Sequence, residues 1–545
     1  MSEALNLADY YLFDRLAEGL GDTPALLFGD RMQTYAEVAD DTRALAAHLV
    51  GAGIAVEQRV LLALPDTPAY AAAFFATLRI GAVVAMGNPH APADDLAYLV
   101  GYTRASAVIT TPEVARAIRG TLDEAGVHLI LVRDVATGED WLDAQEPAFA
   151  GRWLRDALSD GRARLERGDP SQRTTERDHP AIWLFTSGST GKSKAAMHCH
   201  RDFAFNTERY ALGTVGYRRG DVTVSVPRLF FGYATGTNLM FPFRVGATAA
   251  LFSERPTPES LARAIERHRP TIVTNVPTMM GKLLDDDDAR AARGEARLDL
   301  SCVRFHLSAG EALPPALLSR FIERFGGEVY DGIGSAEMFH IYCTNRPGDV
   351  VPGSLGKVVS GYELRVLPAD AEVPGATPVA TGETGVLWVK GDSVALAYFG
   401  DREKSFQTFH GHWCRTGDLF HIDERGYLWF EGRADDLLKV GGVWVAPMEV
   451  ENCLAEHPAV SAVAVIGVAV DGLVKPKAFV VAKSGEEASE TLADALKDWV
   501  KARLSKHKYP RVLAFVDDLP KNDRGKIDRK ELRRREVAGE NPSGR

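Results

Sequence analysis

Long hydrophobic runs are missing from this 545-residue sequence. Its most apolar window, 69–86, is interrupted by Arg79 and Gly81. The window opens on Thr67-Pro68, a cap followed by proline at the first helical position, so it reads as a buried helix running into a short strand and not as a membrane span. The start, MSEALNLADYY, has no basic stretch followed by an apolar run, and no signal peptide is expected. Cysteine is scarce: Cys199, Cys302, Cys343, Cys414 and Cys453 are scattered, odd in number and form no CxxC pair. Reduced thiols in a cytoplasmic protein fit that usage better than a disulfide framework or a zinc site. Positive charge is in deficit, with a formal net charge of -11. That argues against nucleic acid as a partner, because phosphate neutralisation needs clustered Lys and Arg. No internal repeat is present.

Apolar content of 46% and charged content of 25% are ordinary globular composition. A chain of this length builds two or more packed units. Helical apolar spacing covers 35–53, and 258–268 is a further helical stretch. Short apolar runs at 60–64, 107–110, 129–132, 181–185, 222–226, 271–276 and 303–308 read as strands covered on both faces. Such alternation predicts an α/β fold with largely parallel sheets. From about 385 to 430 the pattern changes to short strands with turns, as in GVLWVKG and GYLWFEG, which predicts a small, mostly antiparallel unit. The polar stretch 165–180 reads as a connection, and the four-Asp run within 284–294 as a solvated surface loop. After Arg433 a compact unit of strand, helix and strand ends in a basic tail, with 14 Lys or Arg against 7 Asp or Glu from Lys501 onward. That tail is either a solvated surface or a lobe that meets phosphates.

The most informative segment is AIWLFTSGSTGKSK, 181–194. An apolar strand runs into a loop holding Thr186, Ser187, Gly188, Ser189, Thr190, Gly191, Lys192 and Lys194. Glycine lets backbone N–H groups approach a phosphate, hydroxyls add hydrogen bonds and lysines add charge. A Walker A loop needs a Gly five residues before Gly191, where Thr186 stands, so a kinase or GTPase reading is disfavoured.

TSGSTGKSK resembles the phosphate loop of the acyl-adenylate-forming superfamily, which includes acyl-CoA synthetases, peptide-synthetase adenylation domains and firefly-type luciferases. The family usually has Pro at Ser193 and Gly at Ala195. Other motifs follow in the family's order. SAGEALP (308–314), with Ala309, Gly310 and Glu311, resembles the segment that meets the adenine face. DGIGSAE (331–337), with Asp331, Gly332 and Ile333, resembles the next nucleotide-binding motif. RTGDLF (415–420) resembles the motif whose Asp, here Asp418, binds the ribose hydroxyls. GRADDLLKVGG (432–442) resembles the hinge motif, with Arg433 near the nucleotide and Asp435 as hinge. PKNDRGKIDR (520–529) resembles the motif carrying the adenylation lysine, here Lys526.

The resemblance spans essentially the whole chain. It implies an α/β fold with a large N-terminal domain (1–434) of αβαβα-type sheets and a small β-barrel-like subdomain. A small mobile α+β C-terminal domain (435–545) completes it. ATP, Mg2+ and coenzyme A are the implied co-substrates. A carboxylate becomes an acyl donor by attacking the α-phosphate of ATP, and because two anions must approach, catalysis is mostly neutralisation and positioning. Glu337 is the implied magnesium ligand, and Lys526 the lysine bridging carboxylate and α-phosphate oxygens. Lys439 matches a lysine that benzoate-type members use in thioester formation. Where the family usually has Thr before the Glu, for the α-phosphate, this chain has Ala336.

PRLFFGYATG (227–236) and EMFHI (337–341) are most similar to benzoate-CoA ligases. The resemblance makes Gly232, Tyr233, His340 and Ile341 the acid pocket and Phe231 an aromatic gate on the thiol tunnel. Gly232 stands where Ala is common, which leaves room beside the ring. A benzoate with a small amino or hydroxyl substituent, such as 2-aminobenzoate, is the expected acid. His198-Cys199-His200 reads as structural, since three consecutive side chains, with Cys between the two His, face different ways on a strand or helix. The expected state is monomer or homodimer, with no membrane partner. Delivery to a carrier-protein phosphopantetheine stays open, as does a non-catalytic adenylate-binding protein, for which only Ala336 and Ser193 speak. Oxidative luciferase-like chemistry finds no specific residue.

Overall fold

The apolar runs become strands because each has both faces to bury. In the computed structural model, which describes residues 3–133, 151–187, 192–440, 443–470, 473–483, 488–505, 507–520 and 527–539, the chain divides into two units. One comprises Met1–Leu364 with Val389–Arg415, the other Arg365–Trp388 with Thr416–Arg545.

The first unit holds two large sheets. In the nine-stranded sheet the inner strands Pro24–Phe28, Thr248–Leu251, Val222–Ser225, Ile272–Asn275, Phe305–Ser308 and Glu328–Gly334 are parallel neighbours in that spatial order. Antiparallel strands, Arg31–Thr34 and Ile341–Thr344, flank them. Val224, Val273 and Val329 pack on Leu261, Ile265, Met280, Leu283 and Phe321 of the covering helices. The seven-stranded sheet runs Arg152–Trp153, His128–Leu131, Ala107–Thr110, Arg59–Ala63, Val83–Met86, Pro180–Ser187 and Ser193–Cys199. It is parallel except for its last pair. The parallel α/β expectation therefore holds.

Helix boundaries follow local chemistry. Tyr35–Gly51 starts on a capping box in which the Thr34 hydroxyl accepts from the Glu37 N–H and the Glu37 carboxylate accepts from the Thr34 N–H. Pro258–His268 starts on the same device with Thr257 and Ser260. The apolar window resolves into helix Pro68–Arg79 and strand Val83–Met86; Thr67 is the cap residue, but its side chain makes no capping bond.

The four-Asp run is not a loop. It continues helix Pro277–Ala292. Asp287 is buried and accepts from Arg297, Arg324 and the Leu298 N–H, at 2.5, 2.6 and 2.8 Å. Asp286 pairs with Arg290 one turn on. The acidic run is neutralised by arginines remote in sequence, so it tolerates burial. No cluster of three or more metal-ligating side chains exists among the described residues.

In the second unit, strand Trp413–Ile422 pairs antiparallel with Leu428–Arg433 from Asp418 onward. A three-stranded sheet of Val460–Val470, Leu473–Ala482 and Val512–Phe515 follows. One face packs Val465, Ala478 and Val480 on Val450, Leu454, Leu496 and Val500. The other packs Ala464, Ile466 and Phe479 on Leu519 and Leu532. In the basic tail Arg529 pairs with Glu451, Arg533 with Asp436, and Arg534 and Arg535 with Glu531. No helix among the described residues is long and apolar enough to cross a membrane.

Candidate active site

In the nine-stranded sheet the pocket and nucleotide motifs occupy loops that follow parallel strands at the same edge. PRLFF follows Val222–Ser225, SAGEALP continues Phe305–Ser308, and GSAE ends Glu328–Gly334. The C-terminal edge of a parallel sheet is where backbone loops diverge and leave a crevice.

The strands on either side of segment 188–191 pair antiparallel, with Phe185 opposite Ala195, Thr186 opposite Lys194 and Ser187 opposite Ser193. Gly188, Ser189, Thr190 and Gly191 lie outside the described residues, and Ser187 is described by its backbone. Lys192 Nζ stands 5.1 Å from the centre of the Tyr98 ring, and Lys194 Nζ 3.7 Å from that of Tyr398. Burial lowers the Lys194 pKa, against the pull of nearby Glu337.

Glu337 sits in a single 3-10 turn, Ala336–Met338, followed by Phe339 at φ +67. Its Oε1 accepts from the Tyr398 hydroxyl at 2.6 Å. Burial, joined by the Glu337 charge, keeps that phenol protonated. Strand Glu328–Gly334 needs its glycines because Ile341–Thr344 returns closely beside it. A Cβ at Gly332 would lie 2.8 Å from the Cys343 carbonyl oxygen, and one at Gly334 2.5 Å from that of His340. Asp331 is buried in the middle of this strand, and burial pushes its carboxyl up to about 7, against the pull of the Ser308 hydroxyl and the Gly332 N–H. Ile333 is half-buried, Ala309 is buried, and Gly310 has φ +85. Glu311 accepts from the Thr278 N–H and hydroxyl, so its carboxylate braces the start of helix Pro277–Ala292. Ser335, one place before Ala336, has its Oγ buried without a hydrogen-bond partner.

Phe231 is 49% exposed. The chain then enters a short helix, Gly232–Thr235. His340 is 2% exposed and its ring packs against Tyr210, Tyr233 and Phe241. Burial holds its pKa down near about 3, so the imidazole is neutral. Its Nε2 lies 3.0 Å from the Tyr233 carbonyl oxygen. A carbonyl only accepts, so Nε2 carries the hydrogen and Nδ1 is left as a bare acceptor. That Nδ1 and the Tyr233 hydroxyl are both buried with no partner. Ile341 is buried and opens the returning strand.

In the second unit Asp418 and Arg433 face each other across the antiparallel pair, joined by a 2.9 Å ion pair. The turn Ala434–Asp436 follows directly. Asp436 is held by Arg533 at 2.6 Å. Asp435 and Lys439 are described by their backbones, Lys439 lying opposite Trp444. Lys526 lies outside the described residues.

Some site residues carry no local signal. Tyr398, His198 and Gly236 matter only through partners far along the chain. A Cβ at Gly236 would lie 2.6 Å from His340 Cδ2. The His198-Cys199-His200 triplet is structural, as expected: His198 bonds Asp202 and the Ala336 carbonyl oxygen, His200 Nδ1 accepts from the Leu7 N–H, and the Cys199 thiol donates to the Asp178 carbonyl oxygen.

Known proteins match this arrangement end to end. Residues 13–399 match the AMP-binding enzyme family and residues 449–526 the AMP-binding enzyme C-terminal domain. The chain is 38% identical over 533 residues to a benzoate–CoA ligase of Thauera aromatica, covering 97% of this chain and 96% of that one. The crystal structure of the anthranilate CoA ligase AuaEII in complex with anthranoyl-AMP is similar at a TM-score of 0.82 and 33% identity, covering 99% of each chain. A benzoate CoA ligase from Burkholderia xenovorans LB400 is similar at a TM-score of 0.79 and 36% identity, covering 97% of this chain and 100% of that one. With motifs, sheets and both family segments in agreement over nearly its full length, the chain belongs to the AMP-binding enzymes.

Proposed function

We propose that this protein is an AMP-forming aryl-acid–CoA ligase. The acid's carboxylate oxygen attacks the α-phosphorus of ATP and pyrophosphate leaves. The thiolate of coenzyme A then attacks the acyl carbon of the mixed anhydride and AMP leaves. Similarity to benzoate and anthranilate CoA ligases over 97–99% of the chain supports this activity.

The family motifs that the chain resembles assign each residue its task. Segment 186–194 brings backbone N–H groups, hydroxyls and two lysines to the triphosphate. Segment 309–311 meets the adenine, Asp331 belongs to the next nucleotide-binding motif, Asp418 binds the ribose hydroxyls, and Arg433 lies near the nucleotide. Lys526 neutralises the carboxylate and α-phosphate oxygens as they approach. Asp435 is the hinge between a domain of 1–434 and one of 435–545, and Lys439 serves thioester formation.

Mg2+ fits the residues present. It commonly needs one or two carboxylates, with phosphate oxygens and waters completing the shell. Glu337 offers one half-buried carboxylate oriented by Tyr398, and when bound the ion offsets triphosphate charge.

The observation that carries the choice of acid is the polarity around His340. The neighbouring rings are those of Tyr210, Tyr233 and Phe241, and His340 Nδ1, an acceptor only, and the Tyr233 hydroxyl are buried without a partner. A flat ring bearing an N–H or O–H donor would satisfy such an acceptor on binding, and 2-aminobenzoate is such an acid. Acid-dependent ATP–pyrophosphate exchange across benzoate, aminobenzoates, hydroxybenzoates and linear aliphatic acids tests it. Preference for an amino- or hydroxybenzoate is expected, and preference for a linear aliphatic acid refutes it. Product analysis with and without coenzyme A separates a CoA ligase from an enzyme that loads a carrier protein.

A further inference from the structure

The turn carrying Glu337 is not self-supporting. It is a single 3-10 turn closed by a non-glycine residue at positive φ, a conformation that needs outside support. Three successive carbonyls receive donors from elsewhere in the chain. Ala336 O accepts from His198 Nε2 at 2.6 Å, Glu337 O from the Ala395 N–H at 2.8 Å, and Met338 O from the Ser393 hydroxyl at 2.9 Å.

His198 belongs to strand Ser193–Cys199, which leaves the phosphate loop. Residues 194, 196 and 198 share one face of it. Lys194 lies on the Tyr398 ring, Ala196 bridges to Tyr398, and His198 reaches Ala336. One strand face thus brackets Glu337, through Tyr398 on its carboxylate and through His198 on its backbone.

The proton inventory makes the His198 contact conditional. A carbonyl accepts only, so Nε2 carries a hydrogen. Nδ1 lies 2.8 Å from Asp202 Oδ2, which also accepts from the Cys199 N–H at 3.0 Å. A hydrogen must therefore also lie between Nδ1 and Oδ2. A neutral imidazole facing an ionised carboxylate supplies only one of the two hydrogens. Asp202 and His198 are 3% and 0% exposed, so water does not replace a missing one. The pair as a unit holds the second hydrogen, and with it the donation to Ala336.

We propose that His198, held by Asp202 with its Nε2 hydrogen toward Ala336, is a positioning residue for adenylation that fixes the turn presenting Glu337. The proposal rests on the adenylation reading above.

The test compares His198→Ala, His198→Gln, Asp202→Asn and the Gln/Asn double variant in acid-dependent ATP–pyrophosphate exchange. Thermal melts check folding, and release of CoA thioester from supplied acyl-adenylate is read separately. The Gln side chain can donate to Ala336 O without needing Asp202. In Asp202→Asn the Asn carbonyl takes the Nδ1 hydrogen and leaves a bare Nε2 facing Ala336 O. His198→Ala and Asp202→Asn should each lower kcat of exchange about tenfold or more, with thioester release much less affected. His198→Gln should retain most of the exchange, and adding Asp202→Asn to it should change nothing further. Equal harm from Asp202→Asn in the His and Gln backgrounds, or His198→Gln as impaired as His198→Ala, overturns the proposal; this comparison stands even if His198→Ala fails to fold. Exchange in all variants at the wild-type rate also overturns it. No exchange by the wild type with any aryl acid refutes the adenylation reading first and this proposal with it.

Discussion

Two glycines four residues apart should respond in opposite ways to the same methyl group. At Gly236 an added Cβ would lie 2.6 and 2.7 Å from His340 Cδ2 and Nε2, and 2.9 Å from Phe241 Cζ. All three atoms belong to rings inside the core, and His340 is also tied to the Tyr233 carbonyl. The methyl has no space unless His340 turns, which breaks that bond. Overpacking of this kind costs about 1–3 kcal/mol, and a lost hydrogen bond about 1 kcal/mol more. At Gly232 the nearest atoms are the Leu184 methyls at 3.3 and 3.4 Å and the Phe339 carbonyl oxygen at 3.5 Å. A few tenths of an ångström of side-chain adjustment accommodates that methyl, at a cost below about 1 kcal/mol. Gly236→Ala should therefore lower stability by about 2–4 kcal/mol in urea unfolding and raise KM for the aryl acid at least about tenfold. Gly232→Ala should leave stability nearly unchanged and instead lower the ratio of kcat/KM for 2-aminobenzoate over benzoate about tenfold, because it fills the space beside the ring. A Gly236→Ala protein with wild-type stability and KM would refute the packing argument, since the distances leave no alternative place for the methyl.

Tyr398→Phe removes the donor to Glu337 Oε1 while keeping the ring under Lys194. A bond to a charged group contributes about 1.5–3 kcal/mol, and solvent screening of the half-buried Glu337 reduces this to about 1–2 kcal/mol, so a five- to thirtyfold loss of exchange rate is expected, and an unchanged rate would contradict it. Ala336→Thr restores the hydroxyl the family usually places before the Glu and should raise exchange rate or ATP affinity; no gain counts against the α-phosphate role of that position. His200, His306 and His340 are buried, and burial lowers their pKa values to about 3, about 4 and about 3. Their folded pKa values lie below the unfolded value near 6.5, so the unfolded chain binds more protons between about pH 6.5 and about 4. Stability should fall as pH drops through that window, by up to about 1.4 kcal/mol per pH unit for each such imidazole, less the opposite contribution of the buried Asp331 and Asp66 carboxyls, raised to about 7 and about 6, and a urea midpoint that rises from pH 7 to 5 would refute their neutral burial.

The sequence made some of this legible and concealed the rest for physical reasons. Strands buried on both faces and helices opened by Thr-Pro announce themselves, because a few adjacent residues set their burial and caps; 258–268 is read to the residue. The ordered motifs likewise locate the loops at the C-terminal edge of the nine-stranded sheet. The Asp run misleads, because composition signals solvent while the arginines that neutralise Asp287 stand 10 and 37 residues away. Tyr398, His198 and Gly236 are illegible for the same reason. Their partners, Glu337, Ala336 and His340, lie 61, 138 and 104 residues off, and no local pattern records the pairing. The tautomer of His340 follows only once the Tyr233 carbonyl is seen beside Nε2.

On the proposed assignment, the bare acceptor on His340 meets a donor on an aromatic acid, which is adenylated and transferred to coenzyme A. The most direct test is ATP–pyrophosphate exchange with 2-aminobenzoate, benzoate and 2-methylbenzoate, followed by identification of the product formed with coenzyme A. Expected are kcat/KM highest for 2-aminobenzoate, lower for 2-methylbenzoate by about 1–3 kcal/mol in transition-state terms, and a CoA thioester as product. Exchange that favours 2-methylbenzoate or a linear aliphatic acid would contradict it.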